Sequence, residues 1–454
     1  VSVEGPVSAR TALAYWFKLG FVSFGGPTGQ IAMMHEELVE RRRWISEHRF
    51  LHALNYAMLL PGPEAQQLAT YIGWLMHGTL GGIAAGALFV LPSLAVLCIL
   101  SYVYVVFGDV PVVAGVLYGV KPAVTAIVVF AAYRIGSRSL HDVVLWLIAA
   151  AAFVAIFAFA VPFPYIVLTA AALGLIGGHL APERFAIRGG HLGAEKTRGA
   201  ALIDDDTPLP AHARFSWPRT IGYTIVGLVL WIAAEGLLYL AFGAAGPLTQ
   251  MGWFFTKAAL LTFGGAYAVL PYVYQGGVET YGWLTAEQMI DGLALGETTP
   301  GPLIMIVAFV GFIGAWTTEA LGPGQLLSAG IAGATVATFF TFLPSFVFIL
   351  IGGPAVEATR HEIRLTAPLT GITAAVVGVV LNLAVFFAWH VFWPDATAAE
   401  PFAGRFEWAS LLIAGAALIA LWRFKIGIIP VIGASAAAGL VHALATGSLL
   451  GPNV

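Results

Sequence analysis

Lys18, Ser23-Phe24-Gly25-Gly26, Trp44 and Pro61-Gly62-Pro63 recur as Lys257, Thr262-Phe263-Gly264-Gly265, Trp283 and Pro300-Gly301-Pro302. Every pair is separated by one offset of 239 residues (257 minus 18, 302 minus 63), with no gap between. Val39/Val278, Glu40/Glu279 and Leu54/Leu293 keep the same register. A lysine, a Phe-Gly-Gly, a tryptophan and a Pro-Gly-Pro in one ungapped frame indicate an internal duplication, which decides how the rest of the chain is read. Leu91-Pro92-Ser93 resembles Leu343-Pro344-Ser345, and Lys121-Pro122-Ala123 resembles Ala367-Pro368-Leu369, so with small gaps the duplication extends over most of each half.

With 454 residues, 59% of them hydrophobic, 10% charged, and a mean hydropathy of +0.87, the chain has too few charges to cover a soluble surface. It reads as an all-α polytopic membrane protein. Apolar runs long enough for a hydrocarbon core of about 30 Å include 83–107, 143–160, 164–180, 221–242, 326–351, 369–389 and 426–445. None alternates as the strands of an outer-membrane barrel do. A net charge of −3 argues against a nucleic-acid partner, and one cysteine, Cys98, precludes an internal disulfide. No cleavable signal peptide is expected, the first apolar segment running straight into the repeat.

The expected organisation is an N-terminal repeat over 1–180, a polar linker over 181–219, a connecting transmembrane helix over 220–249 and a C-terminal repeat over 250–454. The linker carries Arg184, Arg188, Lys196, Arg198 and Asp204-Asp205-Asp206. His35 to Trp44 reads as a charged interfacial loop, and Arg41, Arg42 and Arg43 mark it as cytoplasmic. Thr280, Tyr281 and Gly282 replace them in the second copy, while Arg360, Arg364, Arg423 and Lys425 lie elsewhere. If basic residues stay inside, the halves face opposite ways, as inverted repeats do.

A helix that stops inside a membrane leaves about four N–H groups without partners, tolerable only against protein or water. Its N-terminus also carries roughly half a positive charge, a ready anion site. Pro27 and Pro63 suit the first helical position, and Glu64 follows in the first turn. The candidate substrate-binding residues are therefore Phe24, Gly25, Gly26, Pro27, Thr28 and Gln30 at the first break and Pro61, Gly62, Pro63 and Gln66 at the second. In the second copy they are Thr262, Gly264 and Gly265, then Thr298, Thr299, Pro300, Gly301 and Pro302. Lys18 and Lys257, matching lysines inside apolar segments, join them, against the alternative of snorkelling to an interface. An ionised Glu64 would repel a dianion at the same helix end; its counterpart is Leu303, and the second copy carries Glu297 before its break instead. Glu64, Glu297 and His35 are the candidates for proton coupling. His52 and Asp291 occupy equivalent polar positions that line the pathway or join helices.

Phe24-Gly25-Gly26-Pro27, the His35 to Trp44 segment and Leu60-Pro61-Gly62-Pro63-Glu64-Ala65-Gln66-Gln67 together resemble the N-terminal signature of the chromate ion transporter family. Thr262-Phe263-Gly264-Gly265-Ala266-Tyr267 and Glu297-Thr298-Thr299-Pro300-Gly301-Pro302 resemble its C-terminal signature. The likeness covers essentially the whole chain, in the long two-domain form of the family. It implies a multi-pass protein of a bacterial or archaeal inner membrane that exports chromate and confers chromate resistance, with sulfate as competitor. The residues by themselves reach an anion transporter with a duplicated fold.

Three function classes remain to be separated. A secondary transporter needs an ion gradient or the membrane potential, because no Walker-type phosphate loop is present. A channel or a sulfate or other oxyanion transporter would use the same breaks. A membrane enzyme would need a nucleophile, cofactor or metal site, for which one cysteine and scattered histidines give no pattern. No metal or cofactor is expected. The expected partners are chromate, sulfate, protons, membrane lipid and a second copy of the chain packed through small-residue faces such as Gly78–Gly86.

Overall fold

The computed structural model describes residues 7–24, 26–108, 110–185, 201–205, 207–208, 210–263, 265–358, 366–397 and 400–446. Helix α1 (Ala9–Val22) is N-capped by Ser8, whose Oγ accepts from Thr11 N at 3.2 Å, and it stops at Ser23. Helix α2 (Gly26–His35) passes directly into a π-helical turn, Glu36–Arg41, where the sequence suggests an irregular loop. The charges explain the difference. A π turn brings residues five apart together, and both Arg41 to Glu36 (2.6 Å) and Arg42 to Glu37 (2.7 Å) span five. The Arg42 contact holds the Glu37 carboxyl below the usual carboxylate range.

Helix α3 (Glu47–Leu59) follows, capped by Ser46, and then α4 (Glu64–Phe107), α5 (Pro111–Ser139), α6 (Val143–Phe159), α7 (Phe163–Leu180) and the short α8 (Pro182–Phe185). Beyond the linker come α9 (Trp217–Phe242) and α10 (Pro247–Leu261), then a 3-10 turn (Ala266–Ala268) with α11 (Leu270–Tyr274). A second π turn (Gln275–Thr280) precedes α12 (Ala286–Thr298), whose Thr285 and Gln288 form a capping box. A 3-10 turn (Leu303–Met305) leads into α13 (Ile306–Thr317), followed by α14 (Leu326–Ala358), α15 (Thr366–Phe392), α16 (Trp408–Trp422) and α17 (Ile428–Ala445). Adding 239 to the bounds of the first π turn and of α3 gives the bounds of the second π turn and of α12.

A straight helix of 44 residues would be about 66 Å long, twice a hydrocarbon core. Helix α4 avoids this by reversing at His77 (φ −132°) and Gly78 (φ 67°, ψ −161°) into antiparallel arms, 64–76 and 79–107. Small residues let the arms touch. A Cβ at Gly82 would lie 2.8 Å from the Trp74 Cβ, and one at Gly73 would lie 2.7 Å from the Gly81 carbonyl oxygen. The Gly78–Gly86 face is thus spent inside the chain, which corrects its expected use in a dimer. Helices α13 and α14 make the equivalent pair, with Gly330 against Phe312 and Gly311 against Ala337. Gly82→Leu is expected to overpack this seam by about 1–3 kcal/mol, read as a lower thermal unfolding midpoint in detergent.

Helices α5, α6, α7, α15, α16 and α17 form one bundle. The second-copy helices α10 to α13 and the later part of α4 (Val90, Leu97) share its apolar core, whereas α1 to α3 and α4 as far as Phe89 pack a separate core that takes in Ile349 and Leu350 of α14. Among the described residues, seven helices are long and apolar enough to cross a membrane, and α9 presents nearly all its surface outward. The chain is an all-α, multi-pass membrane protein. Its linker returns to the first copy: Ile203 bridges to Ile45, and Ser46 Oγ donates to Asp205 at 2.6 Å. Asp206, Arg188, Lys196, Arg198, Arg360 and Arg364 lie outside the described residues.

Candidate functional site

Two crossed hydrogen bonds join the breaks of one copy to those of the other. Gly62 N donates to Thr262 O at 2.8 Å, and Gly301 N donates to Ser23 O at 2.8 Å. These are the same contact twice, since Gly62 and Gly301, like Ser23 and Thr262, are 239 apart. Each Pro-Gly-Pro thus closes on the Phe-Gly-Gly break of the opposite copy.

The two serines of the Leu-Pro-Ser segments complete the crossing. Ser93 Oγ donates to Pro300 O, and Ser345 Oγ accepts from Gln67 Nε2 at 3.3 Å while Gln67 also donates to Pro61 O at 2.8 Å. Gly62 (φ +124°) and Gly301 (φ +96°) hold backbone that side chains rarely adopt, and a Cβ on either would run into Ser345 or Ser93. Close approach and left-handed backbone together demand glycine here.

Around this crossing lies a buried polar lining. Gln30 is fully buried and its Nε2 donates to Ser23 O and Gly301 O, pinning one pair of breaks. Those carbonyl acceptors assign its amide orientation. Gln66 Nε2 donates to Thr70 Oγ1 at 3.0 Å. Ser23 Oγ and the Oε1 atoms of Gln30, Gln66 and Gln67 are buried with no partner among the described residues. Buried polar groups are normally satisfied, so this cluster marks a place for water, the three amide oxygens accepting and the Ser23 hydroxyl free to donate. The first intrahelical bond after Pro63 runs from Gln67 N to Pro63 O, leaving the N–H groups of Glu64, Ala65 and Gln66 without acceptors among the described residues. After Pro302 it runs from Met305 N, leaving those of Leu303 and Ile304.

The second copy lines its side differently. Thr262, Thr298 and Thr299 return their hydroxyls to carbonyls of their own helices. Tyr267 donates to Glu297, and both are buried. Glu64 has no hydrogen-bond or ion-pair partner among the described residues. Phe24, Gly26, Pro27 and Gly265 flank the breaks, while Gly25, Gly264 and the Thr28 side chain lie outside the described residues.

Other expected residues sit apart. His35 Nε2 lies 2.8 Å from Glu47 Oε1 and its ring meets Phe50 edge-on, at the π turn. Lys18 is exposed in an outer cleft, and Lys257 lies over Trp253 at 5.8 Å. Asp291 is buried beside Tyr104 (3.0 Å) and Lys121 (3.7 Å), joining α12 to α4 and α5, and Lys121 also pairs with Glu287. Ser93, Ser345, Gln67 and Thr70 carry no assigned role in the sequence reading. The Leu-Pro-Ser correspondence was the available signal for the serines, and polar residues inside an apolar run were the signal for the other two.

The family profile described as Chromate transporter matches residues 11–175 and 249–440. The chain is 32% identical over 443 residues to a chromate transport protein of Pseudomonas aeruginosa, covering 96% of this chain and 93% of that one. It is 30% identical over 398 residues to a chromate transport protein of Cupriavidus metallidurans, covering 84% and 82%. An uncharacterized transporter of Methanocaldococcus jannaschii is 26% identical over 389 residues, covering 85% and 86%. No solved structure matches the chain.

Proposed function

We propose a function on one premise: the chain belongs to the chromate transporter family. It is a secondary transporter that moves chromate out of the cell across the inner membrane, binding the dianion at the crossed breaks. The reciprocal pairing of Gly62 with Thr262 and Gly301 with Ser23 carries this reading. It brings two half-helix N-termini to one place, where N–H groups of residues 64–66 and 303–304 supply donors without a guanidinium. The Ser23 hydroxyl and the second amide N–H of Gln66 are neutral donors that suit an ion that must also leave, both amide hydrogens of Gln30 and the Thr262 hydroxyl being already engaged.

Among the described residues, five apolar helices separate the two pairs of broken helices: the second arm of α4, then α5, α6, α7 and α9. An odd number of crossings puts the second pair on the opposite face, so the halves are inverted. The end of α14 meeting α3 and the first arm of α4 supports this, through Tyr56 to Phe348 O (2.9 Å) and Tyr71 to Glu357 (2.5 Å). Rocking one pair against the other would open the breaks to each face in turn.

A dianion leaving a negative-inside cell gains about 2.3 kcal/mol per charge per 100 mV. Glu64 and Glu297 lie at the breaks, where a second negative charge opposes the ion, so proton uptake there accompanies ion binding. His35, at the π turn, is a more distant candidate for the same task. Sulfate, with the same charge and shape, is the expected competitor. Purified protein in proteoliposomes should take up chromate in response to a potential or a pH gradient, saturably and with inhibition by sulfate. Uptake that never saturates would favour a channel, and none under any gradient would remove the substrate assignment.

A further inference from the structure

Arg10, Ala14 and Lys18 fall one helical turn apart along α1, with Thr11 and Tyr15 beside them. With Arg42 these residues line an open cleft of about 370 Å³. Arg10 and Lys18 have no ion-pair partner among the described residues, and Arg42 gives only its Nε to Glu37. Among the described residues, three cations against one carboxylate leave the cleft positive. Tyr15 is 6% exposed, and its hydroxyl is buried without a partner. Arg42 lies 5.3 Å from the Tyr15 ring and 5.0 Å from Trp44, which fixes the guanidinium at the cleft wall.

The second copy has no such cleft chemistry. At the same offset stand Thr249, Gln250, Trp253, Phe254, Lys257 and Tyr281. Phe254 is packed by Tyr281 (5.8 Å) and Trp283 (5.4 Å), and Tyr281 stacks on Trp283 at 4.5 Å. Aromatic rings thus fill the place that cations line in the first copy. The two ends of the pathway are electrostatically unequal.

We infer that the Arg10–Lys18–Arg42 cleft is a loading site for a tetrahedral oxyanion, from which the ion passes along α1 to the Ser23–Gly301 break. Ser23 lies five positions beyond Lys18, about 7.5 Å of helix. A positive cleft raises the local concentration of anions and their rate of capture. Because only one face carries it, transport from that face half-saturates at a lower ion concentration, while the driving gradient sets the net direction. This rests on the oxyanion-transport reading. The same chemistry would also hold the phosphate of an anionic lipid, and the free ion is the assigned ligand.

The test uses the full chain with Arg10→Gln, Lys18→Gln and the milder Tyr15→Phe, in vesicles of phosphatidylcholine alone and with phosphatidylglycerol. Chromate is offered to one face at a time. Each charge removal should raise the half-saturating concentration on the cleft face about tenfold, shrink its salt dependence, and leave the other face unchanged. Equal shifts on both faces, or none, would overturn the assignment. So would shifts found only with phosphatidylglycerol, which would make the cleft a lipid site. Calorimetry with sulfate on the purified chain separates this from transport itself. Arg10→Gln and Lys18→Gln should lose a binding event that Gly301→Ala keeps. If that event is present while wild-type protein transports nothing, the transport reading fails and the anion site stands; if no event is lost, the site falls.

Discussion

Gly301→Val is expected to reduce chromate transport at least a hundredfold, and Gly62→Val to do the same, in protein that still elutes as a single folded species. Left-handed backbone costs a side chain about 1–2 kcal/mol, and overpacking adds about 1–3 kcal/mol. Here the added atoms point at Ser93 and Ser345, so the crossed bonds to Ser23 and Thr262 must open. Every 1.4 kcal/mol is about a factor of ten, and the affected contacts form the ion site itself. Gly322→Ala is the control, because Gly322 also has positive φ (92°) but a Cβ there meets nothing within 4 Å. Initial rates per folded molecule, compared for the three variants, check the expectation. Near-normal transport by Gly301→Val would show that the crossing is scaffold.

Glu64→Gln and Glu297→Gln are expected to flatten the pH dependence of chromate binding. At acid pH a protonated carboxyl tolerates the dianion, and as pH rises an ionised one repels it, so wild-type affinity should fall with increasing pH. Two charges about 6 Å apart interact by roughly 3 kcal/mol at an effective dielectric of 20, before screening. A tenfold or greater gain in affinity at alkaline pH for the Gln variants is the expected result, measured by equilibrium binding of radiolabelled chromate at several pH values. The same pH profile in wild type and in both variants would remove these carboxylates from the ion site. Tyr267→Phe separates the two copies, since it frees Glu297 from its hydrogen bond and leaves Glu64 untouched.

The duplicated frame made much of the fold legible. Phe-Gly-Gly and Pro-Gly-Pro marked the helix breaks, and one offset carried the bounds of α3 and its preceding turn onto α12. Helix reversal at His77–Gly78 was legible only as an interruption: His77, Gly78 and Thr79 precede the apolar run 83–107, but nothing local says that the two arms fold back on each other. The glycine-rich stretch after it looked like an external packing face for the same reason. Which break meets which was also hidden: pairing Gly62 with Thr262 is a contact across 200 residues, and local pattern carries no record of it. Ser93 and Ser345 were seen as equivalents, but their task depends on that crossing. Lys18 was conspicuous as a cation in an apolar segment, and Arg10 stands two turns before it on the same helix, whereas Arg42 comes from the end of the π turn and joins them only when α1 lies against it.

The central claim is that the oxyanion sits at the crossed breaks. The most direct measurement is the position of chromate in the bound protein, located by the anomalous scattering of chromium in crystals grown with the ion. The expected peak lies within hydrogen-bonding reach of the Glu64 to Gln66 amides, beside Gln30 and the Ser23–Gly301 contact. A peak only in the cleft of Arg10, Lys18 and Arg42, with the breaks still closed on each other, would contradict it.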